Sequence, residues 1–116
     1  MKIIAVDFDG CLCENKYPFI GNPHCEVIDM LIDLQMNGAK LILWTCRSGT
    51  HLKMAVEWCR FHGVTFDAVN ANLPENIEKY GNDCRKINAD FYIDDRNLDI
   101  ERLWTLLRTK YKRREK

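Results

Sequence analysis

The sequence predicts a doubly wound α/β domain, a parallel sheet with helices on both faces, and three observations predict it. Apolar runs rich in β-branched residues, without polar alternation, recur at Ile3-Ile4-Ala5-Val6, Leu41-Ile42-Leu43-Trp44 and Phe91-Tyr92-Ile93. Such runs fit strands buried on both faces. Segments of helical period and short polar connections separate them, which is the pattern of a parallel sheet covered by its crossovers. Each run also ends in polar groups, and in open parallel sheets ligands bind beyond the carboxyl ends of the strands.

The elements follow in order. The first strand runs into Asp7-Phe8-Asp9-Gly10, where glycine permits a sharp turn. If the strand continues, the two carboxylates, two residues apart, project the same way. Residues 11 to 23 carry Gly, Pro and Asn with no clean period. A helix over about residues 24 to 37 follows Pro23, with Val27, Leu31 and Leu34 on one face and Asn37-Gly38 at its end. A strand over 40 to 45 leads into Thr45-Cys46-Arg47-Ser48-Gly49. The next helix, near 50 to 62, aligns Leu52, Ala55, Val56 and Cys59 and stops at Gly63. Phe66-Asp67-Ala68-Val69 is a short strand. Residues 70 to 85 are polar, with Pro74 a helix start and Gly81 a break. Phe91-Ile93 runs into Asp94-Asp95-Arg96-Asn97, and a last helix aligns Ile100, Leu103, Trp104, Leu107 and Tyr111.

At 116 residues and 47% hydrophobic, the chain suits one domain, residues 1–116, with one substantial core. Seventeen basic and seventeen acidic residues cancel, so no global field points to nucleic acid or membrane. There is no apolar run long enough to span a bilayer and no charged-then-apolar leader, so a soluble, cytoplasmic protein is expected. The six cysteines (Cys11, Cys13, Cys25, Cys46, Cys59 and Cys84) form no C-x-x-C pair and lack ligand spacing, so free thiols are the favoured reading.

Three strand ends therefore offer, in order, an Asp-x-Asp-Gly, a Thr, and an Asp pair preceded by Lys86. This ordered set resembles the haloacid-dehalogenase-like superfamily of phosphohydrolases, over most of the chain from Asp7 to about Asp99. The resemblance implies a Rossmann-like three-layer fold and a phosphomonoester as substrate. It implies Asp7 as nucleophile and Asp9 as general acid and base. Thr45 would hold the transferring phosphoryl group, with Cys46 and Arg47 beside it, and Lys86 would neutralise nucleophile and phosphate. Lys79 and Arg85 are rivals for that last role. Asp7, Asp9, Asp94 and Asp95 would form the Mg²⁺ site. Cys11 stands where the family usually has Thr or Val. The family places a turn and a hairpin flap at residues 11 to 23, and neither gap between strands has room for the cap domain of larger members. The site is then open, or covered by a neighbouring subunit in a homo-oligomer.

The chemistry accounts for these residue types. Attack by a carboxylate on a phosphate dianion needs positive charge, which Mg²⁺ in an all-oxygen site and a lysine supply. A second carboxylate protonates the leaving oxygen and then activates water, making a two-step covalent reaction. Phosphotransfer to another acceptor uses the same intermediate. A receiver-like signalling domain has similar groups, but there the acidic pair follows the first strand, so the order here disfavours it; a catalytically silent module is disfavoured by the presence of both Asp7 and Asp9.

Other residues have plainer readings. Arg47 reaches either a substrate phosphate or a surface ion pair. His51 is read as solvated, His62 as a charge at a helix C-terminus, and Asp99 as a helix cap. Trp44, Trp58 and Trp104 are read as core or helix-packing residues. Cys11 and Cys46 are expected to flank the site. The basic tail from Lys110 to Lys116 is read as a solvated helix end, with nucleic-acid contact the minority reading.

Overall fold

In the computed structural model, which describes residues 2–80 and 89–94, the first element is β1 (Ile3–Val6). A hairpin follows, β2 (Cys13–Lys16) and β3 (Phe19–Pro23), antiparallel to each other and outside the main sheet. Then come α1 (Cys25–Met36), β4 (Lys40–Leu43), α2 (Gly49–Phe61), β5 (Ala68–Val69), α3 (Pro74–Tyr80) and β6 (Phe91–Ile93). The protein is α/β, with a four-stranded parallel sheet ordered β5-β4-β1-β6 and flanked by helices. Lys86, Arg85, Cys84, Asp95, Asp99 and the expected last helix and basic tail lie outside the described residues.

Register explains the two faces. Ile4 pairs with Leu41 and Phe91, and Val6 pairs with Leu43 and Ile93. Alternation along each strand sends Ile4, Val6, Leu41, Leu43 and Ile93 to one side, where α1 and α2 cover them. Val27, Met30, Leu31 and Leu34 of α1 and Ala55 and Cys59 of α2 complete that core, all buried. On the other side Ala5 and Ile42 pack with Leu73, which immediately precedes α3. The expected helices at 24–37 and 50–62 match α1 and α2 to within a residue or so at each end.

Two expected strands are shorter than the apolar runs. The 40–45 strand stops at Leu43, although the Trp44 N–H still donates to the Val6 carbonyl at 2.8 Å. The 66–69 strand is only Ala68–Val69, because Asp67 turns its carboxylate onto the Leu41 N–H at 2.8 Å, closing the start of β4. Asp90 serves the start of β1 in the same way, accepting from the Ile3 N–H at 2.7 Å.

The hairpin occupies residues 11 to 23, as the resemblance implies. Its strands approach so closely that a Cβ on Gly21 would meet the Glu14 carbonyl oxygen at 2.6 Å, so only glycine fits there. The sheet order makes β1 the point of topological reversal: the chain leaves it for β4 and β5 on one side and returns to β6 on the other. Ligand sites of open α/β sheets form at such points. No helix among the described residues is long and apolar enough to cross a membrane.

Cys59 is buried on the inner face of α2, as its helical spacing predicts. Burial pushes its thiol from an ordinary value of 9.0 up to about 12. The folded chain therefore keeps this proton between those values while the unfolded chain loses it, so stability is complete below pH 9 and falls as pH rises. The slope is about 1.4 kcal/mol per pH unit. In urea titrations, the stability advantage of wild type over Cys59→Ala should narrow by about that amount between pH 8 and pH 10. A constant gap would mean that the thiol is solvated.

Candidate functional site at the carboxyl ends of β1, β4 and β6

β1 ends at Val6, and the Asp7 N–H donates to the Ile93 carbonyl at 2.9 Å, which sets Asp7 beside Asp94 on the neighbouring strand. Adjacent strands lie about 4.8 Å apart, so both carboxylates stand at one strand-end ledge. One Asp7 oxygen accepts the Phe8 N–H at 2.7 Å. A cavity of about 310 Å³ opens there, lined by Ala5, Asp7, Trp44, Thr45, Cys46, Tyr92, Ile93 and Asp94. The structure thus brings together Asp7, Thr45, Cys46 and Asp94 among the residues singled out in the sequence.

Thr45 is fixed by its own loop. Its N–H donates to Asn70 Oδ1 at 2.8 Å, and the Asn70 N–H donates to the Leu43 carbonyl at 2.7 Å. Asn70 has φ of +50°, in the left-handed region that Asn tolerates better than most residues. The Thr45 hydroxyl accepts the Arg47 N–H at 3.1 Å, which leaves its own proton to donate. A phosphoryl or other anionic oxygen in the cavity is a suitable acceptor. Nothing in the linear pattern ties Asn70 to Thr45.

Asp9 and Arg47 go elsewhere. After Val6 the strand alternation no longer applies: the Cys11 and Leu12 N–H groups both donate to the Phe8 carbonyl, and Gly10 takes φ of +81°. This tight turn carries Asp9 out of line with Asp7. Both Asp9 oxygens accept from Arg47, Oδ2 from Nε and Oδ1 from Nη2, each at 2.8 Å. Arg47 is only 2% exposed. Its remaining donors reach the Pro18 carbonyl at 3.3 Å and the Phe19 carbonyl at 3.0 Å, in the hairpin turn. The guanidinium lies over the rings of Phe8 and Tyr17, at 5.0 and 5.1 Å. The hydrogen bonds to Asp9 raise the Arg47 pKa above its ordinary value, so the charge is permanent.

Arg47 is therefore neither a group lining the cavity nor half of a surface ion pair. It is a buried clamp joining Asp9 to the hairpin.

Other expectations are corrected too. Trp44 is not in the core. It is 45% exposed, because β4 ends before it and its ring leaves the packed face. Trp58 does pack inward, edge-on to Phe8 at 5.5 Å. Cys11 is fully buried and so does not face the cavity, whereas Cys46 is exposed on its rim. His51 contacts Tyr17, its Nδ1 3.5 Å from the hydroxyl, rather than standing alone in solvent. His62 does cap the C-terminus of α2, as expected, and it also packs on Trp58, with ring centroids 4.2 Å apart. Lys79 is on α3, exposed. Tyr92, which the sequence reading left as an ordinary strand residue, lines the cavity.

Among the described residues no group of three His, Cys, Asp or Glu side chains is placed to hold a metal ion. Asp9 is engaged by Arg47, and Asp95 is outside the described residues. The donor chemistry of Asp7 and Asp94 nevertheless fits Mg²⁺, which takes oxygen ligands and is usually held by one or two carboxylates, with waters and substrate phosphate completing the shell.

The clamp gives a stability test. Arg47→Met leaves the Asp9 carboxylate without its partner and the hairpin turn without two bonds. Removing one member of a buried pair is strongly destabilising, and the expected loss is about 3 kcal/mol in urea unfolding at neutral pH. Arg47→Lys retains charge but not the planar fork and should recover only part of it. A loss below about 0.5 kcal/mol for Arg47→Met would show that the ion pair is not formed in solution.

No family model matches the chain, and no curated protein does. It is similar to the solved structure of a conserved protein coded by a locus of Bacteroides thetaiotaomicron, with 38% sequence identity and a TM-score of 0.81. The match covers 96% of this chain and 93% of that one. At that identity and coverage, the chain belongs to the family of that conserved Bacteroides protein.

Proposed function

We propose that the chain is a Mg²⁺-dependent phosphomonoester hydrolase, a capless member of the haloacid-dehalogenase-like superfamily, acting through an aspartyl-phosphate on Asp7. The observation that carries this reading is that Asp7, Thr45 and Asp94 line one cavity at the topological reversal of a parallel sheet. Those are the residue types, in the chain order, on which the resemblance rests.

In this reading an Asp7 carboxylate oxygen attacks phosphorus, and the ester oxygen departs with a proton from Asp9, which has parted from Arg47 and taken that proton from solvent. Water then attacks the phosphorus of the aspartyl-phosphate, giving up a proton to Asp9, and inorganic phosphate and the Asp7 carboxylate are released. What a bound Mg²⁺ supplies is positive charge between the carboxylates and the phosphate, which otherwise repel. Thr45, with its hydroxyl oriented by the Arg47 N–H, donates to a phosphoryl oxygen. Asp9 takes part once an oxygen parts from the guanidinium, so Arg47 and the hairpin govern when the acid is available. Lys86 keeps its assignment as the phosphate-neutralising group, with Lys79 and Arg85 as the alternatives. A phosphotransferase would share every step up to the second, in which an acceptor hydroxyl replaces water.

Asp7→Asn tests the reading, since it keeps the side-chain volume and removes the nucleophile. Turnover of a phosphomonoester panel should fall at least about 10³-fold, with the unfolding midpoint close to wild type, and EDTA should abolish wild-type turnover until Mg²⁺ is restored. Undiminished turnover by Asp7→Asn would place the nucleophile elsewhere. Release of inorganic phosphate, compared with phosphorylation of added alcohols, separates hydrolysis from phosphotransfer.

A further inference from the structure

The cavity has a second wall that the phosphate chemistry does not use. Ala5 pairs with Ile42 on one side and Tyr92 on the other, and Val6 pairs with Leu43 and Ile93. Alternation then puts Ala5, Asp7, Trp44 and Tyr92 on the same face, and all four line the cavity. Trp44 and Tyr92 flank the central strand from its two neighbours, their ring centroids 5.7 Å apart and inclined at 60°. Beside them the central strand presents the methyl group of Ala5 and the carboxylate of Asp7. Both rings are exposed, Trp44 at 45% and Tyr92 at 37%. Large aromatic side chains are normally well buried, and two exposed together beside a cavity form a surface suited to a planar ring.

The volume of the cavity is at the low end of small-molecule sites, which favours a small ester over a phosphorylated chain.

Building on the phosphohydrolase reading, we propose that the substrate is a small phosphomonoester whose leaving group carries a planar aromatic ring, seated against Trp44 and Tyr92. A nucleoside and a simple arylmethanol both meet this description.

The test compares benzyl phosphate with cyclohexylmethyl phosphate, which differ in planarity but little in size or leaving-group basicity, and adds a nucleoside 5′-monophosphate. Wild type should prefer benzyl phosphate by roughly 5- to 100-fold in kcat/KM, the range of ring stacking on an aromatic side chain. Trp44→Leu and, separately, Tyr92→Leu should collapse that ratio, whereas Trp44→Phe should keep most of it. A nucleotide faster than benzyl phosphate identifies a nucleoside as the ring, and the reverse identifies an arene; either supports the proposal.

Binding to Asp7→Asn, followed by tryptophan fluorescence, separates this inference from the reading beneath it. Ring-dependent quenching that disappears in Asp7→Asn/Trp44→Phe, without turnover of any ester by wild type, would support the aromatic seat and overturn the hydrolase. Turnover with equal rates for the two esters, unchanged by either leucine variant, would overturn the seat and leave the hydrolase standing. Absence of both turnover and quenching would overturn both.

Discussion

The bidentate bond between Arg47 and Asp9 is the interaction on which the arrangement of this site depends. Through side chains it joins three parts of the chain: the turn after β1, the loop after β4 and the hairpin of β2 and β3. A buried ion pair is weak evidence for net stability, since each charge loses water on burial. What this one supplies is position. The planar fork can satisfy Asp9 only from one direction, and the same guanidinium then directs its remaining donors at the Pro18 and Phe19 carbonyls. The rings of Phe8 and Tyr17 close the two sides. The hairpin has no ladder to the main sheet, so these contacts are a large part of what places it beside the site.

The clamp also separates two carboxylates that look equivalent in the sequence. Asp7 takes its direction from the sheet, through its backbone bond to Ile93, and faces the cavity. Asp9 takes its direction from a tight turn and faces a cation. Placing both in one cavity would set two like charges close together in a partly desolvated space. The ion pair removes that repulsion and leaves the cavity with Asp7 and Asp94 at the strand ends. In the proposed reaction a nucleophile and a proton carrier need different surroundings, and the difference would arise from where β1 stops.

Much of this was legible in the sequence because it depends on local pattern. Unalternated apolar runs marked β1, β4 and β6, and helical spacing of Val27, Leu31 and Leu34 and of Ala55 and Cys59 marked the inner faces of α1 and α2. Strand-end acids and Thr45 fell where the topology puts ligands. Three things were not legible, each for a physical reason. The partner of Asp9 is 38 residues away, and no periodicity links the two. Trp44 belongs by composition to an apolar run, but the run is one residue longer than the strand, and that single position decides whether the ring is core or cavity wall. Asp67 looked like a strand residue because apolar neighbours surround it. Its carboxylate instead satisfies the Leu41 N–H near the start of β4, a demand visible only once the sheet is assembled.

The two sides of the cavity differ in how firmly they are held. The Thr45 loop is bonded at both ends, by Asn70 to the end of β4 and by the Arg47 N–H to the Thr45 hydroxyl. Asn70 sits in a backbone region that costs most residues energy, and its side chain recovers that cost through the bond to Thr45. A hydroxyl fixed in this way meets an anion without reorganising, the condition under which a donor contributes most to a developing charge. The hairpin side is held to the turn after β1 by the Gly10 N–H, which donates to the Cys13 carbonyl at 2.9 Å, and to the loop after β4 by one cation and two rings. In the proposed reaction, the groups that bind the phosphate are thus held from the sheet, whereas the proton carrier is held by a side-chain ion pair.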